Sequence, residues 1–146
     1  LDAVLKDTLL NLEEYKIYPD LIVSLEETFP FRENTLIDDI INHTLNEGFD
    51  TVIAAKCESG SLWQEGDKEG FKRLDSGDTP RLYKEKSYIG LKGLCCVTHP
   101  EFLRQEKLFE GKVGLYEINT PLSFFEVRDK IGRETASKLM TYYNFG

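Results

Sequence analysis

The chain has 146 residues, with 18 Lys and Arg against 26 Asp and Glu for a formal net charge of −8; 40% of its residues are hydrophobic, 12% aromatic and 30% charged. This is the length of one domain and the balance of a globular protein, which excludes disorder over the whole chain. Net negative charge repels phosphate backbones and anionic headgroups, no basic run exceeds Lys72-Arg73, and the longest apolar runs fall far short of the roughly 20 residues a membrane-spanning helix needs, so nucleic-acid and membrane partners are excluded as expectations.

The elements follow in order. Val4, Leu5, Leu9 and Leu12 recur at helical spacing and predict an amphipathic helix over 2–15, broken by Tyr18-Pro-Asp. Leu21-Ile-Val-Ser-Leu25 reads as a short strand covered on both faces. Asn34 or Thr35 caps a helix carrying Leu36, Ile37, Ile40, Ile41 and Leu45, and Gly48 stops it in the left-handed conformation. Asp50 to Cys57 is a second buried strand, so 20–57 reads as one strand, helix, strand crossover. From about 58 to 90, glycines punctuate short pieces that predict hairpins. Gly93 to Thr98 is a further strand. Thr98-His-Pro-Glu101 reads as a capping box opening a helix to about Leu108. Lys112 to Ile118 is a strand, and Thr120-Pro121 opens a last helix with Leu122, Phe125, Ile131, Leu139 and Met140 on its apolar side and Gly132 as an interruption.

The sum is an α/β fold: three layers around a mostly parallel sheet, Rossmann-like, with a small antiparallel insertion. In such sheets ligands bind beyond the carboxyl ends of the strands, which here carry Leu25-Glu-Glu-Thr28 and Glu117-Ile-Asn-Thr120. Cys95 and Cys96 are adjacent and therefore point to opposite faces of a strand; with Cys57 they form neither a disulfide framework nor a zinc spacing, and reduced thiols in a cytoplasmic setting are expected. Both are core residues by this reading. His43 sits among polar residues of its helix and is expected to be exposed, His99 lies in the capping box, and neither has a nucleophile or ligand set beside it, so no catalytic residue is assigned.

The strand ends carry a resemblance. Leu25-Glu-Glu-Thr-Phe-Pro-Phe-Arg32 is similar to the Leu-Gln-Pro-Thr-Ser-Pro-Leu-Arg motif of the cytidylyltransferases that activate acidic sugars, the acylneuraminate branch. Tyr88-Ile-Gly-Leu-Lys-Gly-Leu-Cys-Cys-Val97 has the shape of that family's aromatic, Asn-Gly and apolar strand, with Lys92 in place of Asn. Glu117-Ile-Asn-Thr120 looks like its Asp-Ile-Asp-Thr. The resemblance runs over roughly residues 3 to 131. It implies a nucleotide-diphospho-sugar transferase-like fold and transfer of CMP from CTP to an acidic, nonulosonic sugar with release of pyrophosphate, as part of polysaccharide biosynthesis.

On that resemblance Glu26, Thr28, Arg32, Arg81 and Lys92 are the expected substrate-binding residues, with Arg32 and Arg81 orienting the sugar carboxylate. Glu117 and Asn119 are the expected ligands of Mg²⁺, one formal charge short of the paired aspartates. The insertion at about 58–90 is expected to carry a homodimer contact. The family's Gly-rich basic loop for the CTP triphosphate has no counterpart here, and the one methionine is Met140; residues 1–146 are therefore expected to be a single partial domain, the carboxyl-terminal portion of a longer cytidylyltransferase-like domain and inactive alone. The plainer readings are solvated acids for Glu26 and Glu27, a salt bridge to Glu33 or a nearby acid for Arg32, and a charged hairpin face for Arg81, Lys84 and Lys86. The competing function is a non-catalytic sugar-nucleotide-binding or dimerisation module of a degenerate member, and a third is a nucleotidyltransferase acting on a non-acidic sugar.

Overall fold

The computed structural model describes residues 2–66, 70–75, 83 and 85–143. The elements are α1 (Asp2–Glu14), β1 (Ile22–Ser24), α2 (Leu36–Glu47), β2 (Thr51–Glu58), β3 (Trp63–Gly66), β4 (Gly70–Arg73), β5 (Ser87–Gly90), β6 (Cys96–Thr98), α3 (Pro100–Arg104), β7 (Val113–Glu117), a 3-10 turn (Pro121–Phe124) and α4 (Lys130–Tyr143).

β2 is the spine. On one side it pairs in parallel with β7, Thr51 opposite Val113 through Ala55 opposite Glu117. On the other it pairs antiparallel with β6 and then, farther along, with β5. β6 pairs in turn with β1, again antiparallel. Thus β1, β2 and β7 run one way, as the expected parallel arrangement requires, while β6 and β5 run against them. The crossover from β1 through α2 to β2 exists, but β6 is inserted between its two strands. That insertion makes the sheet mixed.

Side-chain alternation along β2 divides the interior in two. Val52 and Ala54 face α2, where Leu36, Ile40, Phe29, Leu94, Val97 and Ile118 close the larger core. Ile53 faces the other way, onto Leu9 of α1 and Leu103 and Leu108 in and after α3. Cys95 and Cys96 take opposite sides of this division, as adjacent strand residues must. Burial pushes the Cys95 thiol up to about 12, which keeps it protonated and chemically inert at neutral pH.

Several boundaries move for local reasons. Gly48 ends α2 in the left-handed region at φ 62°, as expected, with its N–H on the Thr44 carbonyl. The residue before α3 is His99, not Thr98: the Thr98 hydroxyl is shared with that of Thr51 at 2.7 Å across the β2–β6 ladder, so the capping box does not form and α3 is one short turn. The predicted last helix is split. Pro121–Phe124 is a 3-10 turn, and α4 begins only at Lys130, where Asp129 Oδ1 accepts the Gly132 N–H at 2.6 Å. Its expected apolar side does not reach a core, since Ile131 is exposed and Ala136 alone is buried. His43, expected to be exposed, packs between the Phe49 and Tyr116 rings at 5.3 and 5.7 Å.

Candidate functional site

The parallel run of β1 and β7 brings their following loops to one rim of the sheet, and the centre of that rim is an excursion in the strand facing β2. Ala54 N–H donates to the Cys95 carbonyl at 2.9 Å, and the Ala54 carbonyl accepts Leu91 N–H at 2.7 Å, so residues 91–95 bulge out between β5 and β6. This bulge contains Lys92 and Gly93. A Cβ on Gly93 would lie 2.7 Å from the Glu26 carboxyl carbon and 2.9 Å from the Phe29 ring. Glycine is needed there because the loop after β1 lies directly against it.

Arg32 ties these two loops together. Its Nε donates to the Leu94 carbonyl at 2.8 Å, Nη1 to Phe29 at 2.9 Å, and Nη2 both to Gly93 at 3.0 Å and to the Glu26 carbonyl. Four of the five donors of the guanidinium are thereby used on backbone oxygens. Burial lowers its pKa, while Cys95 and Glu26 oppose that shift. Glu33, the alternative partner, is not among these bonds; the side chain ties the rim together from within.

The other expected residues are placed as follows. Glu26 is half-buried beside Gly93, its own N–H on the Gly93 carbonyl at 2.7 Å. The Thr28 carbonyl accepts Val127 N–H at 2.8 Å, and its hydroxyl oxygen is buried with no hydrogen-bond partner among the described residues. Lys92 is half-buried with its ammonium 5.7 Å from the centre of the Phe109 ring. Arg81 and Lys84 lie outside the described residues. Glu26, Thr28, Arg32 and Gly93 thus form one assembly at the rim, while the Lys92 side chain turns to Phe109, the neighbour of Leu108 in the α1-side core.

Glu117 is not part of it. Opposite Ala55 in the β2–β7 register, it projects on the α1 face, where Oε2 accepts the Tyr88 hydroxyl at 3.1 Å and meets Lys86 Nζ at 3.5 Å. Glu117 raises the pKa of the Lys86 ammonium, chiefly by direct charge attraction. Ile118 turns into the α2-side core and Asn119 is exposed beyond the strand end. Arg32, bonded to the carbonyls of Phe29 and Leu94 in the α2-side core, and Glu117 therefore stand at the same rim on opposite faces of the sheet.

These residues are a poor fit to Mg²⁺. Such an ion takes about six oxygen ligands at about 2.1 Å, commonly one or two carboxylates with waters and phosphate oxygens completing the shell. Here the one carboxylate of the pair, Glu117, already faces the Lys86 ammonium, and the second position is the neutral Asn119.

Sequence reasoning passed over a basic cleft of about 330 Å³ where the chain enters α4, lined by Val127, Arg128, Asp129, Lys130 and Arg133. Its link to the rim is the Val127 to Thr28 hydrogen bond, and Arg128 pairs with Glu126 at 2.7 Å. The signal was the spacing of these cations, hidden by the reading of 121–140 as one helix.

A solved structure described as 4-diphosphocytidyl-2C-methyl-D-erythritol synthase from Anaerococcus prevotii is similar to the chain, with a TM-score of 0.60 and 13% identity over 90% of this chain and 64% of that one. The likeness is one of fold. The chain spans less than two thirds of that protein's length. No protein-family model and no curated protein matches the chain.

Proposed function

We propose that this chain is the sugar-side portion of a cytidylyltransferase-type enzyme, which transfers CMP from CTP to an acidic, nonulosonic sugar. The sugar hydroxyl oxygen attacks the α-phosphorus as its proton passes to solvent, the bond from that phosphorus to the oxygen bridging to the β-phosphate breaks, and pyrophosphate leaves with its charge balanced by cations around it. The observation that supports this reading is the fold shared over 90% of the chain with a protein named as a diphosphocytidyl-methylerythritol synthase. The motif resemblance at Leu25–Arg32 and Glu117–Thr120 supports the acylneuraminate branch. In this reading Arg32 positions Glu26 and the Lys92-Gly93 bulge, and Arg128 supplies a charged fork near the sugar carboxylate.

A second reading, a non-catalytic sugar-nucleotide-binding or dimerisation module, is favoured by the single carboxylate at Glu117 and its engagement by Lys86. The test is pyrophosphate release from CTP by the whole protein with a panel of nonulosonic acids, each run with and without Mg²⁺. The enzyme reading expects release that depends on one acid of the panel. Binding of CMP-sugar by calorimetry, with no release from any acid under either condition, would leave the module.

A further inference from the structure

The carboxyl end of β7 carries a cation of its own. Glu117 Oε2 receives the Tyr88 hydroxyl at 3.1 Å and faces Lys86 Nζ at 3.5 Å. These three come from neighbouring parts of the sheet by register: Glu117 sits opposite Ala55, Tyr88 opposite Cys57, and both project on the α1 face. Lys86 enters from the residue before β5. The arrangement is compact, and its carboxylate is about two-thirds shielded, with a side-chain exposure of 33%.

We propose that Lys86 serves here as a built-in cation that takes the place of an exchangeable divalent metal, so that an anionic group arriving at this end of the sheet meets an ammonium held by Glu117 and Tyr88. Three features carry this. Glu117 Oε2 is already shared by a hydroxyl and an ammonium. A Mg²⁺ on that oxygen would compete with Lys86 for it and be repelled by the like charge of the ammonium. Asn119, the second candidate ligand, is neutral and exposed, so it cannot offset that repulsion. The geometry is that of a cation site whose cation is covalently part of the chain. The inference rests on the nucleotidyl-transfer reading only for the nature of the anion, a phosphate group; the engagement of Glu117 by Lys86 stands without it.

Mn²⁺ is a suitable probe, because electron paramagnetic resonance counts free and bound ion directly and requires no turnover. Titrated with up to 1 mM Mn²⁺ in the absence of nucleotide, about the range in which weak protein sites fill, the wild-type chain is expected to leave the ion free. Asn119→Asp alone is expected to do the same, since Lys86 remains. Lys86→Met combined with Asn119→Asp removes the ammonium and supplies a second carboxylate, and is expected to bind one Mn²⁺ at least tenfold more tightly than wild type. Lys86→Arg with Asn119→Asp keeps a cation and is expected to lose that gain. One equivalent bound by wild type and released in Glu117→Gln would overturn the proposal. So would a folded double variant, judged by its circular dichroism, that acquires no site. A failure of pyrophosphate release leaves these spectra unchanged, so the two readings fail separately.

Discussion

Arg32 shows how one side chain can be spent on making a site instead of lining it. Its planar fork meets carbonyls of residues 26, 29, 93 and 94 in two loops, of which those of Gly93 and Glu26 also accept the N–H of Glu26 and Phe29. A lysine has the charge but only three donors on a flexible stem, and cannot span this set. Arg32→Lys is expected to lower stability by about 2 kcal/mol, the cost of leaving one or two part-buried carbonyls without donors, read as a lower urea midpoint with an unchanged slope. A midpoint equal to wild type would mean that the four bonds carry little. Arginine in this motif was legible as important from the sequence. That its partners are backbone oxygens was not, because the carbonyls of residues 93 and 94 come from about sixty positions away.

At the scale of elements, α4 stands apart. The moment of its sequence is that of an amphipathic helix, yet Ala136 is the one residue buried along it, and the Tyr142 ring packs on that of its neighbour Tyr143 at 5.1 Å between centroids. Such a helix depends on its own caps and propensity more than on burial. Asp129→Ala removes the side-chain oxygen that accepts the Gly132 N–H. It is expected to cost about 1 kcal/mol locally, seen as a loss of ellipticity at 222 nm with little change in the global unfolding midpoint. An equal fall in both would show that α4 folds as one unit with the core. β5 and β6 illustrate the opposite case, in which long-range pairing decides the element: the apolar run at 93–97 predicts an unbroken strand, but Ala54 bonds to both ends of residues 91–95 and forces the bulge that forms the rim.

For the whole molecule, β3 and β4 form a two-stranded sheet of their own beside the main one. Trp63 is 56% exposed and Phe71 68%, while Arg73 covers the Trp63 ring at 5.8 Å. Aromatic residues are concentrated at protein interfaces, and the homodimer expected for the insertion is kept here as a proposal. Sedimentation should give a dimer for the chain and a monomer for Trp63→Ser combined with Phe71→Ser, with an unchanged far-ultraviolet circular dichroism spectrum, since neither ring belongs to either core. A variant that remains dimeric would move the contact elsewhere. Among the described residues no helix is long and apolar enough to cross a membrane.

The amino-acid sequence by itself determined the nature and order of the main elements: α1, α2 with its Gly48 stop, β2, β7 and the hairpin region all follow from periodicity and turn chemistry, which act over a few residues. It also determined that Cys95 and Cys96 face opposite cores, because alternation in a strand is a local rule. Only the tertiary structure decided that β6 lies between β1 and β2, that Arg32 and Glu117 share a rim but not a face, and that Lys86 stands beside Glu117. Those facts depend on which distant strands pair and in what register, and a one-residue change of register in β7 would move Glu117 to the other side of the sheet.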